Sequence, residues 1–397
     1  MFQGIAAFLS RHLSRRTTGR VLIPEVDGLR SVAILSVVFF HANANFRFYT
    51  GDPKSSIDSF IHRIFDAGEY GVPLFFVISG FILTIPFARH YLEGADRVSL
   101  RKYLIRRLTR LEPPYIFALV VLFLITAFRT GSFEYFPSLV ASGAYLHNAV
   151  YGQSSHVLVA AWSLEVEVQF YLLAPLLTTV FAIRNSIARR GIMLVAIALM
   201  SYFFNVVKPI DGLSIISHGS YFLVGIFLAD IYLGDQRRYK EMGQREDDQH
   251  LVPRTSGGYL FDLIVFAALS MVFVAKAYSL SPELVAPWLI LIGYAAVFRA
   301  RLVRWFFRFS PVVILGGMCY TIYLWHFFLI AGFRHVWFRM MPVEEGAVSR
   351  VAYVLVASTV AVVLSGILFA LIERPTMNPR WPQELWAFLT KRSQKDR

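Results

Sequence analysis

The stretch DGLRSVAILSVVFFHANANF, residues 27–46, sets Asp27, Arg30, His41, Asn43 and Asn45 in and around one apolar run. An α-helix turns by about 100° per residue, so the eleven steps from Arg30 to His41 leave the two about 20° apart. They share a face and lie about 16 Å apart along the axis. Asn45 continues that stripe four residues on, and Asp27 begins it one turn before Arg30. Ionisable groups inside a membrane helix are costly and mark function by default. The plainer alternative is a histidine that only hydrogen-bonds a neighbouring helix. The alignment of Arg30 and Asn45 with His41 favours function.

Three further clusters carry reactive side chains. KYLIRRLTRLEPPY (102–115) places Arg107 and Arg110 three apart and Arg106 and Arg110 four apart, each pair on a shared face. Pro113 and Pro114 follow at the entry to a span. Arginine binds phosphates bidentately, but a basic anchor at a helix end needs no ligand, and on these residues alone the anchor is favoured. AWSLEVEVQFYLLAPLL (161–177) opens with Glu165 and Glu167. Neighbours two apart point about 200° apart on a helix, so the two carboxylates face different surroundings. One of them could orient or activate an imidazole, or sit at the interface. CYTIYLWHFFLI (319–330) holds His326 inside an apolar run, with Tyr323 and Trp325 as possible interfacial aromatics.

The elements that must position these groups follow from composition. Of 397 residues, 56% are hydrophobic and only 16% charged, with mean hydropathy +0.54. A soluble domain is about a quarter charged, so the chain reads as an all-α, polytopic integral membrane protein. Apolar segments of spanning length fall at 31–47, 72–88, 114–129, 162–183, 191–207, 217–233, 259–279, 284–299, 312–332 and 349–372. With the N-terminus in the cytoplasm, these ten helices put 30 of the 39 Lys and Arg on the cytoplasmic side. That excess predicts about ten transmembrane helices with both termini cytoplasmic.

The net charge of +13 therefore reads as topology, and no nucleic-acid partner is expected. Residues 1–26 read as a basic cytoplasmic arm, 27–375 as the transmembrane domain and 376–397 as a cytoplasmic tail. Residues 137–149 are apolar but too short to span, and 234–258 form the longest polar insert. The single Cys319 and the lack of CxxC or zinc-type spacing suggest neither redox chemistry nor a metal site. GxSxG, P-loop, GxGxxG and H-x4-D patterns are absent, so a serine hydrolase, an ATPase and the soluble glycerolipid acyltransferases are unsupported.

Taken together, the motifs resemble those of the membrane-bound acyltransferase 3 family. The resemblance is carried in order by IPEVDGLRSVAILSVVFFHA, GVPLFFVISGFIL with Ser79, Gly80 and Phe81, RRLTRLEPPY, WSLEVEVQFYLLAP, GGMCYTIYLWH and IERP. Cys319 stands where a serine is usual, Val168 at a second acidic position and Glu112 where an aromatic is commoner. These departures bear on acceptor preference and leave the His41 and arginine positions intact.

The resemblance implies an O-acyltransferase of a bacterial-type cytoplasmic (inner) membrane. It would move an acyl group, usually acetyl, from cytoplasmic acyl-CoA to a hydroxyl of a glycan, lipid-linked saccharide or related metabolite. Acyl-CoA would be a co-substrate, with no tightly bound cofactor. The resemblance further implies that His41 is the central catalytic residue, supported by Arg30, with Arg107 and Arg110, and Arg106 beside them, near the donor. Neutral imidazole can take a hydroxyl proton near pH 7, and Glu167 is the carboxylate placed to orient it. Asp27, Asn45, Ser79, Trp162, Tyr171, Tyr323 and His326 are candidate supporting or substrate-binding residues. Direct attack on the thioester and a covalent acyl-His41 both stay open. The rival from another class is a transporter or flippase of a glycan or lipid-linked intermediate, which would use the same intramembrane polar groups as its pathway. The residues name neither the acceptor nor the oligomeric state.

Overall fold

The computed structural model describes residues 13–14, 23–378, 381 and 383, apart from 54, 208–212, 242–257, 279–281 and 342–345. Most of the predicted N-terminal arm, polar insert and C-terminal tail lie outside the described residues. Within them the structure is helical, with no strand. The helices are α1 Pro24–Thr50, α2 Ser56–Asp66, α3 Gly71–Glu93, α4 Leu100–Thr130, α5 Phe136–Gly143, α6 His147–Tyr151, α7 Ala161–Leu177 and α8 Ser186–Val207. They continue as α9 Ile215–Glu241, α10 Tyr259–Ala277, α11 Pro282–Val297, α12 Leu302–Phe307, α13 Ser310–Gly317, α14 Cys319–Met340 and α15 Ala347–Leu368.

Each of the ten predicted segments is helical, and the chain is a multi-pass membrane protein. Eight helices among the described residues are long and apolar enough to cross a membrane, and α13 with α14 makes a ninth that is bent by 71°. The tenth, α11, is a shorter apolar helix over Leu284–Val297. The apolar stretch 137–149, too short to span, forms the small helices α5 and α6 joined at Tyr145, whose φ of 58° is left-handed.

Helix α1 is the central element and packs against α3, α13, α14 and α15. Its start is set by Pro24 in the first turn, where the missing N–H costs nothing, and by Glu25 and Asp27 at the positive end of the helix dipole. Arg304 Nε reaches Glu25 at 2.8 Å and ties α12 to this end. At the other end Arg350 of α15, almost wholly buried, pairs with Asp58 of α2 at 2.6 Å and donates to Asn43 Oδ1 at 3.0 Å. Breaking such a buried pair costs about 3–5 kcal/mol, because the remaining charge is stranded. Asn43 is thus a packing residue of α1.

A close crossing joins α3 to α9, where Gly80 and Gly225 face one another. A Cβ on Gly80 would collide with the Phe222 carbonyl, and one on Gly225 with backbone around Val77 and Phe81. The small residues let two backbones touch, which is how membrane helices associate without a hydrophobic drive between them. That contact sets the face of α3 on which Ser79 sits. Likewise Gly316 of α13 lies against the Asp27 carbonyl with no room for a Cβ, which brings the α13–α14 break to the beginning of α1.

Candidate functional site

Two cavities beside α1 hold predicted residues, and the structure divides most of those residues between them. The arginine cavity, about 130 Å³, is lined by Arg30, Ser79, Arg107, Glu167, Tyr171 and Glu373, among others. The histidine cavity, about 360 Å³, is lined by His41, Glu69, Trp162, His218, Tyr221 and His326, among others. Tyr323 lines both. The stripe predicted on α1 is therefore present, but its two ends serve different chambers.

In the arginine cavity charges meet partners of opposite sign or good hydrogen-bond donors. Arg30 Nη1 lies 2.6 Å from Asp27 Oδ1, so the ion pair one turn apart holds the guanidinium at the cavity wall. Ser79 Oγ donates to Glu167 Oε1 at 2.6 Å, joining α3 to α7. Glu373, in a π-helical turn over Phe369–Glu373, accepts from the Thr321 backbone N–H at 3.0 Å and from the Thr321 hydroxyl. Tyr320 OH donates to the Leu111 carbonyl at 2.9 Å, one turn before the paired prolines, through which α4 continues as a helix. Arg107 sits 5.9 Å from the Tyr103 ring centroid. Arg106 is exposed and lines neither cavity, and the side chain of Arg110 lies outside the described residues.

The histidine cavity is built of rings. His41 is packed edge-on between Phe40 and Phe327, with centroids 5.0 and 5.4 Å away. His326 Nε2 lies 3.0 Å from His41 Nδ1, and His326 itself is fully buried. Across the chamber the rings of Trp162, His218 and Phe76 pack together, with Trp162 and His218 centroids 5.4 Å apart. Glu69 is paired with Lys276 at 2.5 Å. Asn45 donates to the His41 carbonyl at 2.9 Å and accepts from Arg334 at 3.2 Å, so it steadies the backbone beside His41.

Tyr323 is fixed as the wall between the two chambers. Its hydroxyl donates to the Ala160 carbonyl at 2.8 Å, and Ser163 Oγ, 2.5 Å away, donates to it in turn. The phenol therefore spans from α14 to the start of α7.

The carboxylates separate as their spacing required. Glu167 faces the arginine cavity, whereas Glu165 is buried and accepts from the Asn148 backbone N–H at 2.8 Å, tying α6 to α7. Glu167 is not brought to His41, whose ring partner is His326. Trp162 and His326 join His41, while Ser79 and Tyr171 join Arg30. Sequence reasoning passed over Glu373, Glu69 and His218. The IERP block contains Glu373, but there it carried only the family resemblance. Among the described residues no three His, Cys, Asp or Glu side chains converge as a metal ligand set.

The bundle of membrane helices thus encloses one arginine-lined and one histidine-lined cavity. The sequence model of the acyltransferase domain matches residues 23–370, and the chain belongs to that family, acyltransferase 3. An O-acetyltransferase OatA of Staphylococcus aureus is 24% identical, aligned over 78% of this chain and 50% of its own length. A peptidoglycan O-acetyltransferase OatA of Listeria monocytogenes is 25% identical over 80% of this chain and 51% of its own. The chain spans about half the length of these curated relatives. No solved structure matches it.

Proposed function

We propose that this chain is a membrane O-acyltransferase that moves an acetyl group from acetyl-CoA to a saccharide hydroxyl. The observation that carries this reading is Tyr323, the shared wall between a chamber holding Arg30 and Arg107 and a chamber holding His41. Phosphate-bearing donor and hydroxyl-bearing acceptor want different surroundings, and a two-chamber site gives each its own.

In this reading Arg30 and Arg107 meet the phosphates of CoA, with Arg106 and Arg110 along the approach, since guanidinium groups bind phosphate through paired hydrogen bonds. Arg30 lies near the N-terminal end of the chain's central helix, the end that the charge distribution predicts to be cytoplasmic, so donor entry is assigned to the cytoplasmic face of an inner-type membrane. Glu167 and Glu373 shape the donor chamber. The thioester end passes Tyr323 into the histidine cavity. There His41 takes the proton from the acceptor hydroxyl, and the oxygen attacks the thioester carbonyl carbon. The C–S bond breaks, and the CoA thiolate recovers the proton from His41, giving ester and free thiol. General-base help of this kind is worth about 10²–10⁴-fold. Trp162 and Tyr221 offer flat apolar faces to a sugar ring. The relatives named for O-acetyl transfer, one of them to peptidoglycan, support a cell-envelope glycan as acceptor.

The test uses purified protein, radiolabelled acetyl-CoA and an envelope-glycan extract from cells lacking the protein. Labelled, alkali-labile ester on the glycan is the expected product. Translocation of glycan with no CoA release would replace this reading with a transporter, and a trapped acyl-His41 would replace direct attack with a covalent route.

A further inference from the structure

We infer that His326 is a positioning residue that locks His41 in the tautomer whose Nε2 is bare. This rests on the reading of His41 as the base and adds the reason that it is a base at the right nitrogen.

A neutral imidazole carries one N–H and one lone pair, and its tautomer follows from what its partners can do. His326 Nδ1 contacts the Tyr323 carbonyl at 2.8 Å and the Ile322 carbonyl at 3.1 Å. Carbonyls only accept, so His326 carries its proton on Nδ1 and its Nε2 presents a lone pair. That lone pair meets His41 Nδ1 at 3.0 Å. The same His41 nitrogen lies 3.0 Å from the Val37 carbonyl. Both neighbours of His41 Nδ1 are acceptors, so Nδ1 bears the hydrogen and shares it between them. One assignment satisfies all four contacts with two neutral rings. It leaves His41 Nε2 as a lone pair, on a ring that lines the larger cavity. Protonating His326 on both nitrogens instead would set its Nε2–H against the His41 Nδ1–H.

Two features make His326 the deciding partner. It is fully buried and has its own tautomer fixed by backbone carbonyls of α14, so it cannot adapt to the other form of His41. And when His41 accepts a proton on Nε2, its Nδ1–H is still directed at His326 Nε2. The bond then becomes charge-assisted and stronger at the moment positive charge forms. Val37, a backbone carbonyl within α1, would not by itself hold the ring against rotation.

Nitrogen-15 histidine spectra of the full-length protein in detergent, with the His41 signals assigned by their loss in His41→Ala, read the tautomer directly. The expected wild-type pattern is protonated Nδ1 and bare Nε2. His326→Leu should scatter that pattern between tautomers and lower turnover by on the order of 100-fold, with the acetyl-CoA KM changed less than about twofold. His326→Gln, whose side-chain oxygen can accept from Nδ1–H, should keep the pattern and stay within a few-fold of wild-type turnover. A wild-type His41 protonated on Nε2, or an unchanged pattern in His326→Leu, overturns the lock. A His326→Gln no better than His326→Leu overturns it too. His41→Ala run alongside tells the two readings apart: full transfer without His41 removes the base itself, whatever the spectra show.

Discussion

The two chambers differ in what holds them. Around Arg30 the walls hold an ion pair within α1, Asp27 to Arg30, and carboxylate hydrogen bonds that cross between elements, Ser79 to Glu167 and Thr321 to Glu373. Around His41 they are aromatic rings in edge contact, with a histidine pair at one end. A polar wall survives exposure to a charged ligand because its groups already have partners. An aromatic wall offers apolar ring faces around the imidazole. On the proposed reading, the difference puts donor binding and proton transfer at separate places along a single helix, α1.

The sharpest break of that division is His41→Ala. It should lower transfer by about 10²–10⁴-fold while acetyl-CoA binding, measured by calorimetry on the same preparation, is unchanged. Loss of donor binding along with transfer would mean that the chambers are one site. Arg107→Ala tests the other side. A hydrogen bond to a charged group contributes about 1.5–3 kcal/mol, so the acetyl-CoA KM should rise on the order of 10- to 100-fold with little change in kcat. Glu167→Gln comes next. From its place with Ser79 it should alter donor KM by several-fold, and a selective fall in kcat would put it back with His41. Smallest is Ser163→Ala, which removes one of the two hydrogen bonds of the Tyr323 hydroxyl. A loss of about 0.5–1.5 kcal/mol in detergent stability is expected, with a slight rise in acetyl-CoA hydrolysis if the wall loosens.

The helices were legible because hydropathy is additive along the chain and membrane length is a fixed ruler. The same additivity hides the 71° break at Met318, since residues 312–332 are apolar on both sides of the bend. Arg30 and His41 on one face, and Glu165 and Glu167 on two, were legible from helical angle alone. Tyr323 as a shared wall was not, because it depends on where α7 ends up relative to α14. A carboxylate is the residue type that usually orients an imidazole, and the sequence offers Glu167 for that role. The bundle instead brings a second imidazole from 285 positions away. Glu69 and His218 carry no local pattern, so only the folded cavity singles them out.

The bend at Met318 makes α14 a lever with its pivot beside Asp27. At about 1.5 Å of rise per residue, Tyr323 is about 7.5 Å from the pivot, His326 about 12 Å and Arg334 about 24 Å. A swing of about 10° would carry them by about 1, 2 and 4 Å, and the last two displacements exceed what a hydrogen bond tolerates. The contacts from His326 to His41 and from Arg334 to Asn45 are therefore two pins that fasten this arm to α1. While both hold, the partition between the chambers cannot travel without dragging the helix that carries His41.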